Sequence, residues 1–413
     1  MILCTRGGGR GGRGGRGGGG VPPPQVTTMS GEGQGDRGPG TTGSSAAPNT
    51  FHAGRKRANV DNRVEEVDLV SDFYNHRTDV DSGRDRQESR IIHLKNLNNW
   101  IKSVLLREAV RPGDAVLDLA CGKGGDLSKY TRLGVSSYVG VDVAPAAVQE
   151  ARCRYNGESG GQSRRGMPFS AKFAVANCWE VVLRDQFKAE APFDVVSCQF
   201  ALHYAFREAG MAKLALRNVA AMLRPGGLFV GTTTDSAVLA HRLREASGKS
   251  GRPETSFQNS VFRVEFDPRH AGGVFSTADE GAPFGIRYTF FLDDAIDAIP
   301  EYAIPFPTLV ALARSAGLEL VYALNFHEFF YSRLSPDLGP AAADNFELLK
   351  RMRVLPEGEQ ALPLDQWEAA HLYLTFAFRK LGEDKPDEAE VTRRAHRAKG
   401  FVMQQPDDVR TLE

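Results

Sequence analysis

The sequence is poor in cysteine, and the few it has are scattered. Cys4, Cys121, Cys153, Cys178 and Cys198 are odd in number and never in C-x-x-C spacing. That argues against a disulfide framework or a zinc site and for a reducing compartment. No apolar run approaches the length of a membrane span, and the apolar start Met1-Ile-Leu-Cys4 is too short for the core of a secretion signal. An intracellular soluble protein is expected. Net charge is also missing, with 51 Lys and Arg against 51 Asp and Glu. The balance hides an asymmetry: residues 1–60 hold eight basic side chains and two acidic ones, a surplus of +6, so the remainder carries −6. A basic tail on a mildly acidic body suggests that the tail meets a polyanion and that any basic cleft in the body is local.

One further absence is informative. The turn after Val116-Leu-Asp118-Leu does not complete G-x-G-x-x-G, because from Gly122 and Gly124 the last position falls on Leu127. This disfavours a nicotinamide dehydrogenase. What stands there is Asp118-Leu-Ala120-Cys-Gly122-Lys-Gly124-Gly-Asp126, which fits D-x-A-x-G-x-G with Ala120 where glycine is usual. A buried strand opening through glycines onto a helix brings backbone N–H groups close to a nucleotide-like ligand. A second apolar run, Tyr138-Val-Gly-Val-Asp142-Val, ends on an acid about twenty residues downstream, where a doubly wound sheet presents a carboxylate to ribose hydroxyls. Together they point to a nucleoside cofactor without a pyrophosphate, S-adenosylmethionine.

At 413 residues the chain has ample length for one large domain or two. Residues 1–60 are low in complexity: Arg6, Arg10, Arg13 and Arg16 form an RGG tract, followed by Gly-, Pro-, Ser- and Thr-rich sequence that cannot bury enough to fold. Arginines on a flexible glycine chain pair with phosphates and stack on bases without sequence preference; an inert linker is the competing reading. A short helix is predicted over Val64–Tyr74 and a longer one over Ile91–Val110, with Leu94, Leu97, Ile101, Val104 and Leu105 in one stripe. Lys95, Asn98, Asn99 and Lys102 form a polar stripe beside it; two adjacent asparagines are poor helix formers and hint at a ligand-facing role.

From Ala115 strands alternate with helices. Strands are predicted at Ala115–Leu119, Tyr138–Val143, Lys172–Ala176, Phe193–Cys198 and Leu228–Thr232, with helices at Asp126–Arg132, Pro145–Tyr155, Asn177–Asp185 and Arg207–Leu223. Leu223-Arg-Pro-Gly-Gly227 closes the last helix and turns into the fifth strand. Such alternation implies an α/β fold, a parallel doubly wound sheet covered on both faces. Beyond Thr232 a helix (Ala237–Glu245), two strands (Val261–Phe266, Arg287–Leu292), a helix (Leu309–Ser315) and two strands (Leu320–Leu324, Tyr373–Arg379) are expected. The stretch 233–305 is too long and too patterned for a loop and reads as a substrate-side insertion. The resulting division is a basic tail over 1–60, one domain over 61–382 and a charged tail over 383–413.

Four blocks carry a resemblance: Asn98-Asn-Trp-Ile-Lys102-Ser-Val-Leu105, Asp118–Asp126, Cys198-Gln-Phe-Ala-Leu-His203-Tyr204 and Leu223-Arg-Pro-Gly-Gly227. With Pro300-Glu301 and Trp367–Phe378, they resemble the eukaryotic mRNA cap guanine-N7 methyltransferases from about Asp68 to Lys380. The Leu-Arg-Pro-Gly-Gly turn is shared by many methyltransferases, whereas the Asn-Asn-Trp-Ile-Lys and Gln-x-x-x-His-Tyr blocks are specific to this group. The resemblance implies a Rossmann-like methyltransferase fold, transfer of a methyl group from S-adenosylmethionine to the cap guanosine, and roles at matching positions. Lys102 and the Ala120 backbone would contact the methionine end, Asp142 the ribose, Asn177 the adenine amino group, and Gln199 and Tyr204 the sulfonium side. Asn98, Asn99, His203, Glu301 and Tyr373 would surround the guanine, and Lys123, Lys129 and Arg154 would face the phosphates. His203, Tyr204 and Glu301 would orient the reactants, none acting as acid or base. Asn177 stands where the family has Asp; its amide oxygen still accepts from an adenine N–H. Ala120 should fit if the local φ is negative, because only its backbone is needed. The resemblance also implies a nuclear protein that meets the capped 5′ end of RNA and the capping or transcription machinery. A small-molecule methyltransferase would explain 115–232 equally well but leaves the asparagine stripe and RGG tract without purpose. An inactive methyltransferase fold serving as an RNA-binding subunit predicts no affinity for the cofactor.

Overall fold

The computed structural model describes residues 71–72, 89–158, 165–273, 275, 283–382 and 402–412. The RGG tract lies outside the described residues, as does the helix predicted over Val64–Tyr74 apart from Ser71 and Asp72, which are helical. Helix α1 (Ile92–Ala109) buries Leu94, Leu97, Trp100, Ile101, Val104 and Leu105. The chain then runs β1 (Ala115–Leu119), α2 (Leu127–Leu133), β2 (Ser137–Asp142), α3 (Pro145–Asn156), β3 (Ser170–Val175), α4 (Leu183–Gln186) and β4 (Phe193–Gln199). It continues with α5 (Leu202–Ala205), α6 (Ala209–Met222) and β5 (Leu223–Thr234).

After β5 come α7 (Ser236–Ser250) and strands β6 (Ser256–Gln258), β7 (Phe262–Phe266), β8 (Arg287–Leu292) and β9 (Ile296–Tyr302). Then follow α8 (Phe306–Ser315), β10 (Leu318–Asn325), α9 (Phe326–Leu334), α10 (Pro340–Arg351), α11 (Leu364–Ala370), β11 (Tyr373–Lys380) and β12 (Arg410–Thr411).

The main sheet has the order β10-β11-β5-β4-β1-β2-β3-β12. Strands β1 to β5 pair with one another in parallel, and β11 runs antiparallel between β5 and β10. The order reverses between β1 and β4, so the carboxyl ends of those two strands open a crevice. The sheet is buried on both faces because successive side chains alternate. Along β1, Leu117 and Leu119 join one apolar cluster and Val116 the other; along β2, Val139 and Val141 oppose Tyr138. A second, antiparallel sheet, β6-β7-β8-β9, occupies most of the stretch read as an insertion.

Four expectations need correction. The helix predicted over Asn177–Asp185 is reduced to α4. The Asn177 side chain caps Trp179 N–H, and the buried Asn218 side chain takes Leu183 N–H while donating to the carbonyls of Cys178 and Val181. These bonds stand in for the helical ladder. Secondly, Arg224–Gly227 does not lie between helix and strand but is a bulge within β5, where the pairing jumps from Phe193↔Leu223 to Val195↔Leu228. Arg224 is fastened there to Asp194 at 2.6 Å. Thirdly, β9 was missed because Pro300 interrupts its pattern; the strand is the edge of its sheet, where proline is tolerated. Fourthly, the charged tail expected from residue 383 returns to the body over 402–412. Gln404 O accepts from Arg152 and Asn156 at 2.7 Å each, Gln404 N–H donates to Asn156, and β12 pairs in parallel with β3.

Candidate active site

The crevice at the sheet's switch point begins with the turn after β1. Ala120, Gly122 and Gly124 have φ of 55°, 52° and 68°. The condition under which Ala120 fits without strain, a negative φ, is not met: the chain must reverse sharply at the strand end, and the left-handed conformation achieves it at a steric cost for any L side chain. That cost is roughly 1–2 kcal/mol, partly offset by the lower chain entropy of unfolded alanine, so Ala120→Gly should stabilise the protein by about 0.5–1 kcal/mol. Chemical denaturation checks this, and an unchanged or lower midpoint would contradict it.

The turn presents Gly122 N–H to Asp142 Oδ2 at 2.7 Å, while Ala144 N–H donates to Oδ1 at 2.9 Å. Asp142, at the end of β2, is thus held between two turns. Burial pushes its carboxyl up, and these backbone bonds work against the rise. Beside it, Asp126 bridges two cations: Lys102 Nζ stands 2.9 Å from Oδ2, and Lys129 Nζ pairs with Oδ1 and reaches Asn99 Oδ1 at 3.2 Å. Burial opposes ionisation of Asp126, but the two lysines outweigh it and hold the carboxyl well below the usual range. Asp118 receives the Tyr138 hydroxyl at 3.0 Å, and burial, with Asp126 nearby, pushes it up to about 7.

These groups border a cavity of about 310 Å³. Lys102, Ala120, Asp142, Asn177, Gln199 and Tyr204, the six residues assigned to a cofactor by resemblance, all line it. Asp118, Asp126, Phe200, Trp179 and Arg207 line it too and were not singled out as site residues. The two acids were visible inside the glycine motif. Phe200 carries no sequence signal beyond its place between Gln199 and His203, yet its φ of 58° is strained for an aromatic residue. Hydrogen bonds from its N–H to Thr232 O and Oγ1 hold it.

A second group lies against the walls of this cavity. Pro300 and Tyr302 line it while Glu301 between them does not, and Tyr204 lines it while His203 does not. His203 Nε2 and Glu301 Oε1 are 3.7 Å apart, both residues 3% exposed. That separation is too long for a hydrogen bond. Burial lowers His203 to about 3 and raises Glu301 to about 7, so the imidazole is neutral and the pair is not ionic. Among the described residues neither ring nitrogen of His203 has a hydrogen-bond partner, and Asn98 Oδ1 is likewise buried without one. Tyr373 packs edge-on against Phe200 at 5.1 Å and lies tilted against Phe326 at 5.5 Å. Of the residues assigned to phosphates, Lys129 is drawn into the Asp126 clamp, whereas Lys123 and Arg154 converge on Glu150 of α3.

The acid-bearing turn at a switch point suits a nucleoside. The fold and this crevice define an S-adenosylmethionine-dependent methyltransferase. The chain belongs to the mRNA (guanine-N(7))-methyltransferase family, whose domain model matches residues 57–381. It is 43% identical to mRNA cap guanine-N(7) methyltransferase 1 of Oryza sativa subsp. japonica, over 82% of this chain and 88% of the relative. The enzyme of the same name from Arabidopsis thaliana is 41% identical over 82% and 87% of the two chains. The mRNA cap guanine-N(7) methyltransferase of Saccharomyces cerevisiae is 37% identical over 78% and 72%.

Proposed function

We infer that the protein transfers the methyl group of S-adenosylmethionine to N7 of the guanosine that caps RNA. The observation that carries this reading is the crevice itself: a cavity with a carboxylate poised for ribose, whose wall residues Tyr204, Pro300 and Tyr302 are the chain neighbours of the buried His203–Glu301 pair, His203 having no partner for either ring nitrogen among the described residues. The residues fit the cofactor: each Asp142 oxygen has spent one acceptor site on a backbone N–H and keeps another for a hydroxyl. Asp118 and Asp126 offer acceptors to an ammonium group at the methionine end.

Bound S-adenosylmethionine supplies a methyl group on a positively charged sulfur, open to in-line displacement. Guanine N7 carries a lone pair and no proton, so no side chain has to act as a base. The chain's part is alignment and exclusion of water. Glu301 accepts from guanine N1–H and N2–H₂, fixing the base and favouring the positive charge that arrives on the ring. Neutral His203 offers a donor and an acceptor without a competing charge. Asn98, Asn99 and Tyr373 enclose the base, and Lys123, Lys129 and Arg154 supply charge toward the phosphates. Incubation with methyl-labelled cofactor and GpppA-capped RNA should place label on the cap guanosine. Absence of label from both capped RNA and free GTP would overturn the reading.

The RGG tract adds affinity for the RNA body rather than for the cap, and the protein works in the nucleus beside the capping or transcription machinery. Supporting this are the basic surplus of residues 1–60 and the family's substrate. Among the described residues no helix is long and apolar enough to cross a membrane. Deleting residues 1–60 should weaken binding to long RNA in a salt-dependent way while leaving turnover of a cap dinucleotide intact. Equal affinity of the truncated and full chains for long RNA at low salt would make the tract a linker.

A further inference from the structure

Glu301 does not stand alone in its pocket. The Tyr288 hydroxyl is 2.6 Å from Glu301 Oε2 and 2.9 Å from Thr234 Oγ1. An ionised carboxylate only accepts, so the single phenolic proton goes to Glu301, and the Thr234 hydroxyl must then donate to the phenol oxygen. All three side chains are buried, at 1–3% exposure. The chain of bonds is built by strand register: Tyr288 lies directly opposite Glu301 across β8 and β9, and Thr234 ends β5, opposite Tyr373 of β11. It therefore crosses from the main sheet to the small one and ends on the acid.

The titratable groups facing this acid come from three elements. Tyr288 of β8 touches one oxygen, and His203 of α5, neutral through burial, approaches the other at 3.7 Å. Tyr373 of β11 is near enough to raise the Tyr288 phenol's pKa further, after burial and Glu301 itself. Among the described residues no cation figures in the shift of Glu301; the hydrogen bond from Tyr288 is what opposes its burial.

We propose that Tyr288, backed by Thr234, is the positioning residue for Glu301: it ties down Oε2, favours the ionised carboxylate, and leaves Oε1 turned toward the ligand's donors. This rests on the reading that Glu301 meets the guanine edge. Without the phenol the carboxylate can rotate and protonates more readily, so ligand recognition suffers rather than the transfer step.

The test is the pH profile of kcat/KM for a cap dinucleotide, which reports ionisations of the free enzyme. Tyr288→Phe should lose about tenfold near pH 7, mainly in KM, with its acid limb displaced to higher pH and the deficit shrinking as pH rises. Affinity for S-adenosylmethionine by calorimetry should be unchanged. Thr234→Val, which keeps the phenol but removes its donor, should move the limb in the same direction by less. A deficit equal at every pH in both variants would reduce the contact to packing and overturn the proposal, as would profiles superimposable on wild type. If Tyr288→Phe fails to fold, the Thr234→Val profile decides alone. Glu301→Gln distinguishes the two levels. An unaltered guanosine-to-inosine preference in that variant removes the guanine reading itself, whereas an altered preference with an unmoved Tyr288→Phe limb removes only the positioning role.

Discussion

Asp142→Ala is expected to weaken S-adenosylmethionine binding by about a hundredfold or more while the protein stays folded. A carboxylate that accepts from two ribose hydroxyls makes two charge-assisted hydrogen bonds, each worth roughly 1.5–3 kcal/mol, and every 1.4 kcal/mol is tenfold in affinity. The structure adds a second contribution. The same carboxylate takes Gly122 N–H and Ala144 N–H, so alanine also releases the two turns that shape the crevice. Asp142→Asn keeps the side-chain volume and one neutral acceptor, so it holds one of the two turns while its NH₂ faces the other N–H. Its loss should fall between wild type and alanine. Titration calorimetry with far-ultraviolet dichroism is the measurement; unchanged affinity with an unaltered spectrum would take Asp142 out of the site.

Glu301→Gln should lower kcat/KM for a guanosine cap by about one to two orders of magnitude, since a hydrogen bond to a charged acceptor is worth roughly 1.5–3 kcal/mol. The pocket makes the direction specific. With Tyr288 donating as it does to the wild-type Oε2, the amide of glutamine turns its oxygen toward the phenol and its NH₂ toward the ligand. That NH₂ then confronts the donors at guanine N1 and N2. Inosine lacks the 2-amino group and should be a poorer cap than guanosine for the wild type, with the variant losing part of that preference. The pH dependence follows from the carboxyl's value of about 7 in the free protein, set by burial against the Tyr288 bond. As pH falls through 7 the wild-type carboxyl protonates and kcat/KM falls, whereas the glutamine variant should have a shallower limb, left with the contribution of Asp118, which burial also pushes up to about 7. Kinetics on guanosine and inosine caps across pH 6 to 8 test both points. Equal base preference in the two proteins would show that Glu301 does not see the base edge.

The strands around the crevice could be read from sequence because strands covered on both faces appear as continuous apolar runs. β1 falls on Ala115–Leu119 as expected, and β2 lies one residue from its expected place. Three departures from the sequence reading have long-range causes. α4 is short because Asn218, on a different helix, takes over its backbone bonds. β9 is a strand because β8 pairs with it, despite Pro300. Residues 402–412 look solvated by composition, yet Arg152 and Asn156 on α3 hold their backbone against the sheet.

The same division runs through the site. The sequence by itself determined the alternation of strands and helices from β1 to β5, the glycine turn and the acid at the end of β2. These depend on residue type and spacing along a few turns of chain, which local sterics and burial translate directly into backbone. The tertiary structure alone decided that Ala120 adopts a positive φ, and that His203 is neutral with both nitrogens unspent. It also decided that Glu301 titrates near neutrality under a tyrosine from the neighbouring strand. A turn's dihedral is set by the direction the chain must leave in. A buried group's protonation is set by the water it has lost and the one donor that remains, and neither quantity exists until distant segments have packed.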